Sequence, residues 1–406
     1  MAPRTLTVLA AIRPGEEKRL RDVLRPIGDD IKGKRLDQAV GRPHIDFTVS
    51  RFIHFARFAI LADPDRGAER KRLLYSANYD GELDDHLAEL TAITSDMEAI
   101  WGRCDAYTRE GDFGSFIRTH ALEPEAFYIA FRDESVERIQ NAVARRRAMQ
   151  ALGNVPTMRR ELRNIGQAIA ERVGRLIRAL PIGADLFRII ARCGVTNVVR
   201  GTLGIIASLD RIPLFRWLNR LTDNRMPPRQ SAYSSVGLDT CAVLAPLAPG
   251  DEVPTEPNRP VLSTFREDVV TQNQLTLVTV VKPGHVDRVR AVMAAIDSYA
   301  KRLAPPGSLI GVSTIHFVKW LVIDEGRRLM LVSDYDGSWE SYIDEFAEMI
   351  LSGLDAIWET AYGYPPDGAR DVPALKWFLR SHQVPSEIFF SAYPEETVVN
   401  IVNDQL

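Results

Sequence analysis

The sequence predicts an α+β fold made of two copies of one β-α-β-β-α-β unit, and three observations predict it. First, four landmarks recur in the same order. Ile53-His54-Phe55 matches Ile315-His316-Phe317, and Tyr79-Asp80-Gly81 matches Tyr335-Asp336-Gly337. Ala99-Ile100-Trp101 matches Ala356-Ile357-Trp358, and Phe116 to His120 matches Phe378 to His382. Such ordered self-similarity marks an internal duplication. Second, the same succession of strand and helix patterns is met in each copy. Third, the strand patterns are apolar at nearly every position, as in strands covered on both faces.

Taken in order, each copy opens with an apolar run, Leu6 to Ile12 or Leu275 to Val281, that ends at Pro-Gly. The recurrence of this run inside the chain argues for a first strand rather than a secretion signal. A helix follows, with Leu20, Val23 and Leu24, or Val289, Val292, Met293 and Ile296, at helical spacing. Two strands joined by a polar turn come next, Phe52 to Leu61 with Leu73 to Tyr79, and Thr314 to Ile323 with Leu329 to Tyr335. A second helix spans Leu83 to Ile100 or Tyr342 to Ile357. A short helical piece then carries Arg118 or Arg380, and the last strand is Ala126 to Phe131 or Glu387 to Ala392. This is the ferredoxin-like split arrangement, a four-stranded antiparallel sheet with two helices on one face. The open sheet faces of two tandem ferredoxin-like βαββαβ units need cover, and packing them together gives a pseudo-twofold α+β barrel.

That arrangement resembles the dimeric α+β barrel superfamily, which includes dye-decolourising peroxidases and chlorite dismutases. The peroxidases carry a G-x-x-D-G motif. Its counterparts here are Asn78-Tyr79-Asp80-Gly81 and Asp334-Tyr335-Asp336-Gly337, without the first glycine. The strings I-H-F and Y-D-G-S-W-E also resemble those of bacterial tandem ferredoxin-like proteins with no assigned activity. What the superfamily resemblance implies is haem held by a histidine, with His316, His382 or His120 as the candidate ligand.

The predicted organisation is repeat 1 over 1–144, an arginine-rich helical insert over 145–225, a proline-rich linker over 226–270 and repeat 2 over 271–406. The insert carries sixteen arginines, no lysine and five acids, a local net of +11 in a chain whose formal net charge is −3. Its stripe Leu162, Ile165, Ile169, Val173, Leu176 and Leu180 has helical spacing. A basic amphipathic segment with aromatic anchors suits an anionic membrane surface or an acidic protein. The contact candidates are Arg159, Arg160, Arg163, Arg188, Arg192, Arg216 and Trp217. No nucleic-acid module is recognisable, so nucleic acid is not an expected partner. Three scattered cysteines give neither a disulfide framework nor a thiolate metal site, and a reducing, cytoplasmic setting at the inner face of the membrane is expected.

The candidate catalytic residues are His54, His316, Asp80, Asp336, Arg118 and Arg380. A strand histidine can act as base or ligand, or be a hydrogen-bonded core residue. Each aspartate is expected to cap the helix that follows it, with glycine making the turn. Trp101 and Trp358 are expected core anchors. No G-x-S-x-G, P-loop, dinucleotide fingerprint or H-E-x-x-H is present. The sequence therefore favours a non-catalytic binding or scaffold protein that docks on an acidic surface and holds a small apolar ligand between its sheets. A haem-dependent oxidoreductase is the alternative.

Overall fold

The computed structural model describes residues 3–31, 44–63, 70–151 and 270–405. They form an α+β structure with two four-stranded antiparallel sheets and ten α-helices among the described residues. Strands β1 (Pro3–Ala11), β2 (Ile53–Ala62), β3 (Lys71–Asp80) and β4 (Ala126–Ile129) belong to the first copy. Strands β5 (Gln272–Val280), β6 (Ile315–Ile323), β7 (Arg328–Asp336) and β8 (Ser386–Ser391) belong to the second. The sheet orders are β1-β3-β2-β8 and β4-β6-β7-β5.

Each sheet thus takes its fourth strand from the other copy, which corrects the expectation of two self-contained units. The exchange is matched residue for residue: Arg57 of β2 lies opposite Phe389, and Lys319 of β6 lies opposite Phe127. Its cause is visible in the approach to each last strand. Leu122 N–H donates to Thr7 O and Val384 N–H to Thr276 O, both at 2.8 Å, so the chain first runs beside its own copy's first strand. Pro385 follows Val384 directly and Pro124 follows Leu122 after one residue, and neither has an N–H to give. The chain then crosses, and Glu125 N–H donates to Trp320 O of the other sheet at 2.8 Å.

Each copy contributes five α-helices among the described residues. In the first copy these are α1 (Glu17–Ile31), α2 (Leu83–Ala92), α3 (Met97–Trp101), α4 (Phe113–His120) and α5 (Val136–Ala151). In the second they are α6 (Val286–Arg302), α7 (Trp339–Met349), α8 (Leu351–Trp358), α9 (Val372–Ser381) and α10 (Val398–Asn403). The long helix expected before each tryptophan is in fact two. Asp96 accepts from Glu98 N–H and Ala99 N–H, capping a new helix and ending the old one. In the second copy Ile350, at φ −136° and ψ 38°, makes the same break. Trp101 and Trp358 are buried core anchors, as expected.

Helix α1 packs so closely on the exchanged β8 that a Cβ at Gly28 would sit 2.9 Å from Glu387 O, and glycine admits the approach. Between the sheets, Ala59, Leu61 and Leu74 meet Leu321, Ile323, Met330, Val332 and Val384 in one apolar layer. Helix α5 runs across position 145, so the arginine-rich stretch begins inside a helix of the folded body. Arg146 there pairs with Asp404 at 2.5 Å and with Glu396, and Arg147 pairs with Glu395 at 2.7 Å.

Candidate functional site

The residue between the paired positions Ile53 and Phe55 is His54, and the residue between Ile315 and Phe317 is His316; each ladder shifts register there. A β-bulge re-aims its extra side chain and bends the strand. Both imidazoles are turned inward and have no exposed surface. His54 Nε2 lies 2.9 Å from Asp80 Oδ1, and His316 Nε2 lies 2.6 Å from Asp336 Oδ1. A carboxylate only accepts, so each Nε2–H donates, and in a neutral ring Nδ1 is then the acceptor.

The second oxygens of the aspartates accept backbone N–H groups at 2.7 Å: Val136 donates to Asp80, and Val398 donates to Asp336. The helices held this way are α5 and α10, not those that follow the aspartates in sequence. Those have their own caps, with Glu82 in a capping box at α2 and Ser338 accepting from Ser341 N–H at α7. The glycines do make the turns, Gly81 at φ +89° and Gly337 at +79°.

Around the two histidines lie Phe55, Phe317, Phe131 and Tyr393, and the rings obey the duplication closely. His54 meets Tyr393 at 5.8 Å and 77°, and His316 meets Phe131 at 5.7 Å and 77°. His54 lies 5.4 Å from Phe317, and His316 lies 5.2 Å from Phe55. Tyr393 touches both imidazoles, since it is also 6.2 Å from His316. The copies differ by one hydroxyl. Tyr393 O–H donates to His54 Nδ1 at 2.8 Å, whereas Phe131 offers His316 nothing, and His316 Nδ1 is buried without a partner. Burial, and then Asp80, Asp334 and Asp336, push the Tyr393 hydroxyl pKa well up, so it stays protonated as a donor.

This near-identity gives a prediction. Phe131→Tyr places a hydroxyl against the orphaned His316 Nδ1 and is expected to stabilise the protein by about 0.5–1.5 kcal/mol. Tyr393→Phe orphans His54 and is expected to cost about 1–3 kcal/mol. Urea midpoints of the two variants check both signs; destabilisation by Phe131→Tyr would show that the two ring sets are not equivalent.

Sequence reasoning missed a polar layer three residues beyond the histidines. Arg57 is buried, and its Nη1 donates to Gln274 Oε1, Leu275 O and Thr276 Oγ1 at 3.0, 3.0 and 3.1 Å. Its Nη2 donates to Ser333 O at 2.8 Å and to Asp334 Oδ1. Asn78 Nδ2 donates to Asp334 Oδ2 at 2.9 Å. Lys319 occupies the position of Arg57 in the second copy, where its buried Nζ donates to Thr5 Oγ1 and, at 3.4 Å, to Leu6 O. Since Asn78 matches Asp334, the lysine has an amide where the arginine has a carboxylate. Burial pushes the Lys319 ammonium down to about 7; Asp334 raises it and Arg57 lowers it further. The signal was present in the sequence as a charge in the middle of an apolar strand, at the same offset from both histidines.

The remaining candidates lie apart from this interior. His120 and His382 each lie 2.8 Å, through Nδ1, from the carbonyl oxygen four residues back, Phe116 O and Phe378 O, and pack on those phenyl rings at 4.4 and 4.5 Å. Burial lowers the His382 pKa, against the bond to Phe378. Arg118 pairs with Asp84, and Arg380 lies 3.7 Å over the Trp339 ring and donates to Gln383 at 3.0 Å. Arg159, Arg160, Arg163, Arg188, Arg192, Arg216 and Trp217 fall outside the described residues.

Haem does not fit the strand histidines. A ligating imidazole must present a nitrogen to an open face, whereas both Nε2 atoms are engaged by aspartates and the rings are enclosed by aromatic side chains. In the layer expected to hold an apolar ligand, side chains of both sheets pack against one another. Among the described residues no group of three or more histidine, cysteine, aspartate or glutamate side chains is placed to hold a metal ion, and no helix is long and apolar enough to cross a membrane. Comparison with known proteins found no matching family model, no matching curated protein and no matching solved structure.

Proposed function

We propose that this chain is a non-catalytic binding or scaffold protein that docks on an anionic membrane surface through residues 145–225. We read its fold as two tandem ferredoxin-like units with exchanged last strands, closed as a pseudo-twofold barrel. The matched sheet orders and the segments that cross between the sheets support that reading. The observation that carries the function is the charge asymmetry: sixteen arginines against five acids in one stretch of a chain with net charge −3. The interior supports it, because His54, His316, Arg57 and Lys319 are buried and each has a hydrogen-bond partner within the protein. Arg146 and Arg147 hold the start of the stretch to the body through Glu395, Glu396 and Asp404. The arginines from Arg159 onward would then meet the lipid, each adding about 1 kcal/mol near an anionic surface.

Sedimentation of the full chain with phosphatidylserine-containing and with neutral vesicles tests this. The expected result is binding to the anionic vesicles alone, weakened by salt and lost when Arg159, Arg160, Arg163, Arg188, Arg192 and Arg216 are changed to glutamine. Binding that ignores both lipid charge and salt removes the membrane reading. Retention of an acidic protein in place of vesicles would reassign the surface.

A further inference from the structure

The first copy carries a cationic cavity at the turn after its first strand. It has a volume of about 370 Å³, lies where β1 turns into α1, and is lined by Ile12, Arg13, Gly15, Glu17, Lys18, Arg21 and Lys71 among others. Four of the lining residues are cations and one is an acid. The walls are fixed by the backbone, since Ile12 N–H donates to Lys71 O and Arg13 N–H to Arg103 O, both at 2.8 Å. At Gly15 an added Cβ would meet nothing within 4 Å, so the main chain there is bare toward the opening. Arg21 is held by Glu17 at 3.0 Å and also by Glu387, and Arg13 donates to Tyr107 O at 2.8 Å. Lys18 and Lys71 have no ion pair among the described residues.

The duplication supplies an internal comparison. The residues that match Arg13, Lys18, Arg21 and Lys71 are Lys282, Asp287, Arg290 and Arg327. Lys282 Nζ donates to Glu359 O at 3.0 Å, Arg290 approaches Glu125 at 3.8 Å, and Arg327 Nε donates to Asp324 O at 3.1 Å. The position of Lys18 has become an acid. Where a fold merely needs its turn, the second copy shows the solution, with cations engaged by the protein itself. The first copy instead places two lysines without an ion pair among the described residues on the lining of one small cavity, where an anion would be attracted to both.

We propose that this cavity binds a phosphate monoester or inorganic phosphate. Two lysine ammonium groups beside a bare backbone suit a compact, multiply charged oxyanion, and the volume admits a phosphate with a small substituent. The site is formed by described residues of the first copy and does not depend on residues 152–225.

Calorimetric titration of the full chain with inorganic phosphate and with pyrophosphate is one arm of the test. Sedimentation with vesicles bearing phosphatidic acid, a phosphomonoester lipid, is the other. Lys18→Ala/Lys71→Ala is expected to weaken saturable binding at least tenfold while leaving the circular dichroism and melting curve unchanged. Lys282→Ala, at the matched position of the second copy, is expected to leave binding unaltered. Lysine-dependent binding of phosphatidic acid vesicles without binding of the free ions assigns the ligand to a lipid headgroup, and the converse assigns it to a soluble phosphate. Absence of saturable binding in both arms, or equal losses in the Lys282→Ala variant, overturns the proposal. In the vesicle arm the lysine dependence is read on a chain whose Arg159, Arg160, Arg163, Arg188, Arg192 and Arg216 are changed to glutamine, and the free-ion arm uses the chain with every arginine, so its outcome is separable from that of the vesicle test above.

Discussion

Replacing Arg57 with alanine is expected to destabilise the protein by about 3–5 kcal/mol, the range for breaking a buried ion pair by removing one partner. The guanidinium and the Asp334 carboxylate are both almost completely buried, and they join opposite sheets. Loss of the cation leaves Asp334 with Asn78 Nδ2 as its remaining side-chain donor, and it leaves Gln274, Leu275, Thr276 and Ser333 without the N–H groups that reach them. The aspartate must then stay charged in an apolar layer or take up a proton, and both are costly. Replacing the two together, as Arg57→Met with Asp334→Leu, removes the stranded charge and is expected to recover most of the loss. Urea unfolding of the single and double variants separates these outcomes. A double variant as unstable as Arg57→Ala would mean that the hydrogen bonds, rather than the charge, carry the effect. Because each sheet contains a strand of the other copy, all variants are expected to unfold in one transition.

How far the sequence discloses this architecture follows from what each pattern encodes. The central strands are legible because their two covered faces require apolar side chains in succession, as in Phe55 to Leu61 and Phe317 to Ile323. The exchange of β4 and β8 is not legible, since periodicity specifies which face is buried and says nothing about which neighbour a strand pairs with. The bulges at His54 and His316 hide for a related reason: an extra residue in a continuous apolar run leaves no gap to notice. The aspartates were legible as caps, yet their partners lie far along the chain, 56 residues from Asp80 to Val136 and 62 from Asp336 to Val398. Helix capping leaves a local sequence signature at Asp96, although the apolar pattern on both sides of it reads as one helix, and it leaves none when it is tertiary. Arg57 and Lys319 could have been singled out, because a charge at the same offset from a repeated histidine has no reason to recur unless the fold gives it a partner. The orphaned nitrogen of His316 follows from reading Phe131 against Tyr393, a comparison that becomes meaningful only once each ring is known to face the other copy's histidine.

Lys319 should make the protein more stable as pH rises from about 7 toward 10. Its ammonium falls from the ordinary 10.5 to about 7 in the folded protein, first through burial, with Arg57 adding to the fall and Asp334 opposing it. The unfolded chain therefore binds the proton over a range in which the folded chain has released it. Stability rises with pH wherever the unfolded state holds more protons. Below about 7 both states carry the charge and the full cost of burying it is present; through the window the cost is progressively relieved, by several kcal/mol in all. Tyr75 and Tyr342 act in the opposite sense, because burial raises their hydroxyls and favours the protonated folded form, but that effect begins only where an unfolded tyrosine ionises, near 10. Lys319→Met keeps the length of the side chain and removes the titration. It is expected to flatten the slope and, at neutral pH, to match or exceed the parent in stability, since an apolar side chain there carries no charge to desolvate. Unfolding free energies of parent and variant measured across the window decide the matter. Parallel slopes in the two proteins would show that the buried ammonium keeps its charge throughout, sustained by the neighbouring Asp334 and the hydroxyl of Thr5.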